Sequence, residues 1–116
     1  MPSTLFILND APYGNERAYN ALRLAAALAG KEGQQARLFL MADAVACAKA
    51  GQKVSEGYYN VQLMLGKVLR KGEVVLCGTC MDARGMGDDE VVAGARRGTL
   101  AQLADWTVEA DKVLVF

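Results

Sequence analysis

The sequence predicts an α/β fold with three layers, α/β/α, around a mostly parallel sheet of about five strands. Two observations carry this reading. The strand-like runs TLFIL (4–8), ARLFLMA (36–42), EVVLC (73–77) and KVLVF (112–116) are apolar throughout rather than alternating, as strands buried on both faces are. Helical segments lie between them, so successive strands are joined by crossovers, and right-handed crossovers place helices on both faces of a sheet.

TLFIL opens the sheet and leads into the loop NDAPYGN (9–15). There Asp10, Pro12, Tyr13 and Gly14 have the composition of a tight turn, and Asn15 is a cap for the helix that follows. ERAYNALRLAAALA (16–29) sets Leu22, Ala25, Ala26 and Ala29 on one helical face, with Gly30 as its stop. ARLFLMA is the second strand, and DAVACAKAG (43–51) reads as a short Ala-rich helix. QKVSEGYYN (52–60) is a polar loop whose last residue, Asn60, caps the helix VQLMLGKVLRK (61–71), ended by Gly72. EVVLC is the third strand, and DEVVAG (89–94) fits a short fourth one. Thr99 followed by Gln102 is a capping-box signature for TLAQLADWTVEA (99–110), and KVLVF closes the sheet. With no repeat, low-complexity tract or charged tail to mark a boundary, residues 1–116 form a single domain.

Thirteen basic and thirteen acidic residues cancel, so nothing points to a nucleic acid or an anionic membrane as partner. The apolar runs are far shorter than the roughly 18–20 residues of a membrane helix. Met1-Pro2-Ser3-Thr4 runs directly into a strand without a basic and then apolar leader, so a cytoplasmic location is expected. Three cysteines, an odd number with one close pair, suit reduced working thiols better than a disulfide framework. The apolar share of 53% is high for a small domain, and part of it is expected to cover the interface of a homo-oligomer.

The chemistry centres on LCGTC (76–80). In open parallel sheets ligands bind beyond the carboxyl ends of the strands, and Cys77 is the last residue of the third strand. Gly78 keeps the following backbone clear for close approach. A helical turn over 79–86 would favour a thiolate, with Arg84 adding to that effect and Asp82 opposing it. Cys80, at i+3, can meet Cys77 in a turn and resolve a mixed disulfide or accept a sulfur atom. Asp10 and Tyr13, at the end of the first strand, read as a pocket wall beside the thiol. Against this stands a plainer reading, in which Cys77 fills space, Cys80 is a bystander and NDAPYG is only a turn. Cys47, among small residues, reads as packing. A structural zinc site would need four ligands, and the chain has no histidine and one CxxC pair. A thioredoxin-like site is also disfavoured: Leu76 precedes the pair, and Pro2 and Pro12 lie far upstream of it. GMGDDE (85–90) lacks the third glycine and the preceding strand of a dinucleotide fingerprint.

Several motifs in register resemble the DsrE/DsrF-like family, especially its small YchN-like branch. They are APYG (11–14), RLFLMADAV (37–45), GQK and EGY in the long loop, LCGTCMDARG (76–85), GTLAQLADWT (98–107) and ADKVL (110–114). The resemblance implies a flavodoxin-like or Rossmann-like sheet, assembly into trimers or hexamers, and cytoplasmic sulfur chemistry. In sulfur-relay relatives a cysteine after the third strand takes up sulfane sulfur as a persulfide and passes it on, and the matching residue here is Cys77. Cys80 is a departure from the relay subunits, which need not carry it. The expectation is a sulfur carrier working between a donor and an acceptor protein, with no metal or organic cofactor. The alternatives are a redox switch using a Cys77–Cys80 disulfide and a non-catalytic oligomeric ligand-binding protein.

Overall fold

The computed structural model describes residues 1–116. Five strands, β1 (Ser3–Leu8), β2 (Gln35–Leu40), β3 (Glu73–Cys77), β4 (Arg96–Gly98) and β5 (Lys112–Val115), form one sheet in the order β4-β3-β2-β1-β5. Every pairing is parallel. The helices are α1 (Arg17–Ala29), α2 (Val61–Leu69), α3 (Gly78–Ala83) and α4 (Leu100–Glu109). None is long and apolar enough to cross a membrane.

The two faces of the sheet are covered unequally. On one face Phe6, Leu8, Leu38, Leu40, Val74 and Leu76 pack with Ala18, Ala21, Leu22 and Ala25 of α1 and with Val61, Leu65 and Val68 of α2. On the other, Leu5, Phe39, Val75 and Cys77 form a smaller cluster with Leu103 and Trp106 of α4. The period-two alternation along β3 therefore sends Leu76 toward α1 and α2, and Cys77 toward α4. Trp106 sits edge-on to Phe39, with the Arg37 guanidinium 5.1 Å from its ring centre.

Helix starts follow their side chains. Asn60 accepts a hydrogen bond from the Leu63 amide, and Thr99 accepts one from Gln102. Asn15 accepts from the Arg17 amide at 2.9 Å, one residue outside the α1 N-cap, Glu16. Two expected elements differ. The segment after β2, Ala42–Ala48, is 3₁₀ rather than α-helical. The fourth strand is Arg96–Gly98, not 89–94. Asp88–Glu90 instead make a 3₁₀ turn, with Glu90 accepting from the Gly87 amide. Val92 and Ala50 then exchange amide bonds with Ala48 and Glu90, clipping this stretch to the loop after the 3₁₀ segment instead of to the sheet.

Candidate functional site

Cys77 ends β3 and is the N-cap residue of α3, so its sulfur sits where strand hands over to helix. It is 8% exposed and opens on a cleft of about 280 Å³ lined also by Gly78, Thr79, Asp82, Arg97, Gly98, Thr99 and Leu100. Two close approaches shape this cleft. A side chain at Gly98 would have its Cβ 2.3 Å from Val75 Cγ1, so only glycine lets β4 lie against β3 beside the cysteine. A Cβ at Gly78 would stand 3.0 Å from Arg97 Cγ.

The thiols are not equivalent. Burial pushes the Cys77 thiol up, but hydrogen bonding from the Cys80 and Thr79 side chains, and from their amides, outweighs burial and leaves it below the ordinary thiol value. The Thr79 hydroxyl lies 3.2 Å from the Cys77 sulfur. Cys80 moves the other way: burial, its hydrogen bond to Cys77 and the charge of Cys77 raise it, against the Ala42 amide and Arg84. Of the pair, Cys77 ionises first and Cys80 holds the proton that stabilises it. Cys47 is fully buried, and burial pushes its thiol up to about 12, so it is inert in the folded protein.

The other expected site residues divide. Gly78 lines the cleft. Arg84 is drawn to Asp43, with Nη2 donating at 2.8 Å, and its Nη1 donates to the Cys80 carbonyl, so it acts on Cys80 rather than Cys77. Asp10 and Tyr13 do not line the cleft. Asp10 is paired with Arg17 at 2.9 Å. The Tyr13 hydroxyl donates to Gln52 at 2.6 Å and accepts from the Val61 amide, so it ties the 52–60 loop to α2. All four tyrosines, Tyr13, Tyr19, Tyr58 and Tyr59, cluster in that region, with Tyr59 stacked on Tyr13 and Tyr58.

Three residues at the site had no role in the sequence reading. Thr79 was legible as the hydroxyl between the cysteines. Arg97 reaches Gly78, Asp82 and Asp88. Ala42 has φ 51°, a left-handed conformation that costs a non-glycine residue about 1 kcal/mol or more, and its amide faces Cys80.

The five-stranded parallel sheet with its helices, bearing one thiol at a strand end and a second at i+3, is an α/β fold. Within it the chain belongs to the DsrE/DsrF-like family, whose profile matches residues 3–116. It is 47% identical to the protein YchN of Escherichia coli K12 over the whole of both chains. The crystal structure of E. coli YchN superposes over the full length of both with a TM-score of 0.94. A 36% identical relative from Methanopyrus kandleri, the uncharacterized protein MK0008, matches over 95% of this chain and 90% of its own. MTH1491 of Methanobacterium thermoautotrophicum, a protein of unknown function, shares the fold alone, with a TM-score of 0.80 at 10% identity and full coverage of both chains.

Proposed function

We propose that this protein carries sulfane sulfur as a persulfide on Cys77. The observation that carries the reading is the asymmetry of the thiol pair: Cys77 is the thiol favoured to ionise, and it opens on a cleft at the end of β3. The Cys77 thiolate attacks the outer sulfur of a donor persulfide, a Cys77–S–S bond forms, the donor S–S bond breaks, and the donor leaves as a thiolate. An acceptor thiolate then attacks the same outer sulfur and restores the Cys77 thiolate. The two steps are redox-neutral and use no metal or organic cofactor. Membership in the DsrE/DsrF-like family supports this role.

The working unit is a cytoplasmic homo-oligomer, a trimer or hexamer, that meets separate donor and acceptor proteins. Its support is the thin cover of the α4 side, where Leu100, Val108 and Val115 are 68%, 87% and 65% exposed.

Treatment with glutathione persulfide, removal of excess donor and addition of cyanide tests the reading. Cyanide takes the outer sulfur as thiocyanate, so wild type is expected to release about one thiocyanate per protomer and Cys77→Ser none. Equal release from both would remove Cys77 from the chemistry.

The closeness of Cys80 favours a second reading, a redox switch. Loss of two electrons and two protons to an oxidant would join the pair as a disulfide, which a dithiol reductant reverses.

A further inference from the structure

We propose that Arg97 is a positioning residue for Cys77, acting through the peptide group that joins Gly78 to Thr79. This deepens the reading of Cys77 as the reactive thiol and rests on it. Arg97 Nη1 donates to the Gly78 carbonyl at 3.0 Å and to Asp82 Oδ1 at 3.0 Å, while Nε donates to Asp88 Oδ1 at 2.9 Å. A trans peptide group is planar, with its C=O and N–H pointing in opposite directions. Holding the Gly78 carbonyl therefore fixes the start of α3 that carries Thr79, whose hydroxyl lies 3.2 Å from the Cys77 sulfur.

The surrounding structure is shaped for this contact. In the β3–β4 register Arg97 stands opposite Leu76, one step before the Cys77–Gly98 pair, which sets the guanidinium against the first turn of α3. The space it fills is the space a Gly78 side chain would occupy, with both Cγ and Nη1 at 3.0 Å from the Cβ position. The glycine between Cys77 and Thr79 is thus the seat of Arg97.

Simple charge attraction does not account for the arrangement. Two carboxylates, Asp82 of α3 and Asp88 of the 3₁₀ turn, hold the guanidinium, so the group facing the cleft is not a bare cation. The other groups around Cys77 are the Cys80 thiol on α3 and, beyond it, the Arg84–Asp43 pair. From α4 and its cap, Leu100 and Thr99 bring no charge to the cleft.

The test is the pH profile of Cys77 alkylation by iodoacetamide, read by fragment-ion mass spectrometry that separates Cys77 from Cys80 and Cys47. Arg97→Lys keeps the charge and gives up the fork, and Arg97→Gln gives up both. Each is expected to raise the Cys77 midpoint by about half a unit, roughly a threefold loss of thiolate below the midpoint. Gly78→Ala, which displaces the guanidinium, is expected to give the same shift. Gly78→Ala combined with Arg97→Lys is expected to add nothing further, because both changes break one contact.

An Arg97→Lys profile equal to wild type would show that charge alone matters and overturn the proposal. So would additive shifts in the double variant, or Cys47 labelling that rises in parallel, which would report a loosened fold. A wild-type Cys77 that resists alkylation at every pH would instead defeat the parent reading, an outcome distinct from a reactive Cys77 indifferent to Arg97.

Discussion

Cys77 ionises more readily than Cys80 because one accepts hydrogen bonds and the other gives one. Below the pH at which an ordinary thiol ionises, Cys77 is expected to alkylate first, with Cys80 following at higher pH. Equal rates for the two across the pH range would contradict this. Cys80 also sets the lifetime of the proposed persulfide. Its thiolate can attack the inner sulfur of Cys77–S–SH, release hydrosulfide and leave the Cys77–Cys80 disulfide. Cys80→Ser is therefore expected to hold loaded sulfur several-fold longer than wild type, followed as hydrosulfide release. The position of Cys77 was legible because an apolar run ends on it. Arg97 was not, because its partners Gly78 and Asp82 stand 19 and 15 residues earlier and meet it only when β4 docks. Asp10 and Tyr13 were drawn toward the thiol by their place after β1. In the fold Asp10 answers to Arg17, and Tyr13 to Gln52 and Val61.

Helix α4 and strand β4 build the open side of the cleft, and both depend on small local features. Thr99 holds the Gln102 amide, so Thr99→Ala is expected to lower stability by about 1 kcal/mol in denaturant titration. Gly98→Ala must push Val75 and Gln102 aside, at a cost of about 1–3 kcal/mol. Thermal melts should show the larger loss for Gly98→Ala, and slower labelling of Cys77 should accompany it as the cleft narrows. The caps and the long strands could be read from the sequence because each signal is local. The strand Arg96–Gly98 could not. It is a three-residue edge with two charged side chains, which blunt the edge against further pairing and erase the apolar pattern a reader looks for. The valines of DEVVAG supplied that pattern in the wrong place, where they pack under the 3₁₀ segment.

The whole molecule carries two further consequences of its uneven sheet and its buried thiol. Leu100, Val108 and Val115 lie exposed on the thinly covered side, so self-association there is expected, and sedimentation velocity should show the trimer or hexamer that the family resemblance implies. Val108→Asp together with Val115→Asp should yield smaller species, and a wild-type monomer at micromolar concentration would contradict the assembly. Cys47 stays protonated in the folded chain up to about 12, whereas an unfolded thiol ionises near ~8.5. Between those values the unfolded state has shed a proton that the folded state keeps. Stability from this source is full below ~8.5 and falls as pH rises, by up to about 1.4 kcal/mol per unit. Cys47→Ala is expected to flatten that alkaline decline in urea titrations at pH 8 and 10.5. The parallel sheet was legible because continuously apolar strands admit few other folds. The strand order and the sparse cover by α4 were not, because composition counts apolar residues without saying which face each one serves.

The most direct measurement is intact-protein mass spectrometry after exposure to a persulfide donor, made on wild type, Cys77→Ser and Cys80→Ser. One added sulfur atom that persists in Cys80→Ser and vanishes in Cys77→Ser is the predicted result, and it would establish Cys77 as the carrier. Sulfur retained in Cys77→Ser, or a loss of two hydrogens from wild type with no sulfur gained in any variant, would contradict it; the second outcome would leave the redox pair as the function of these thiols.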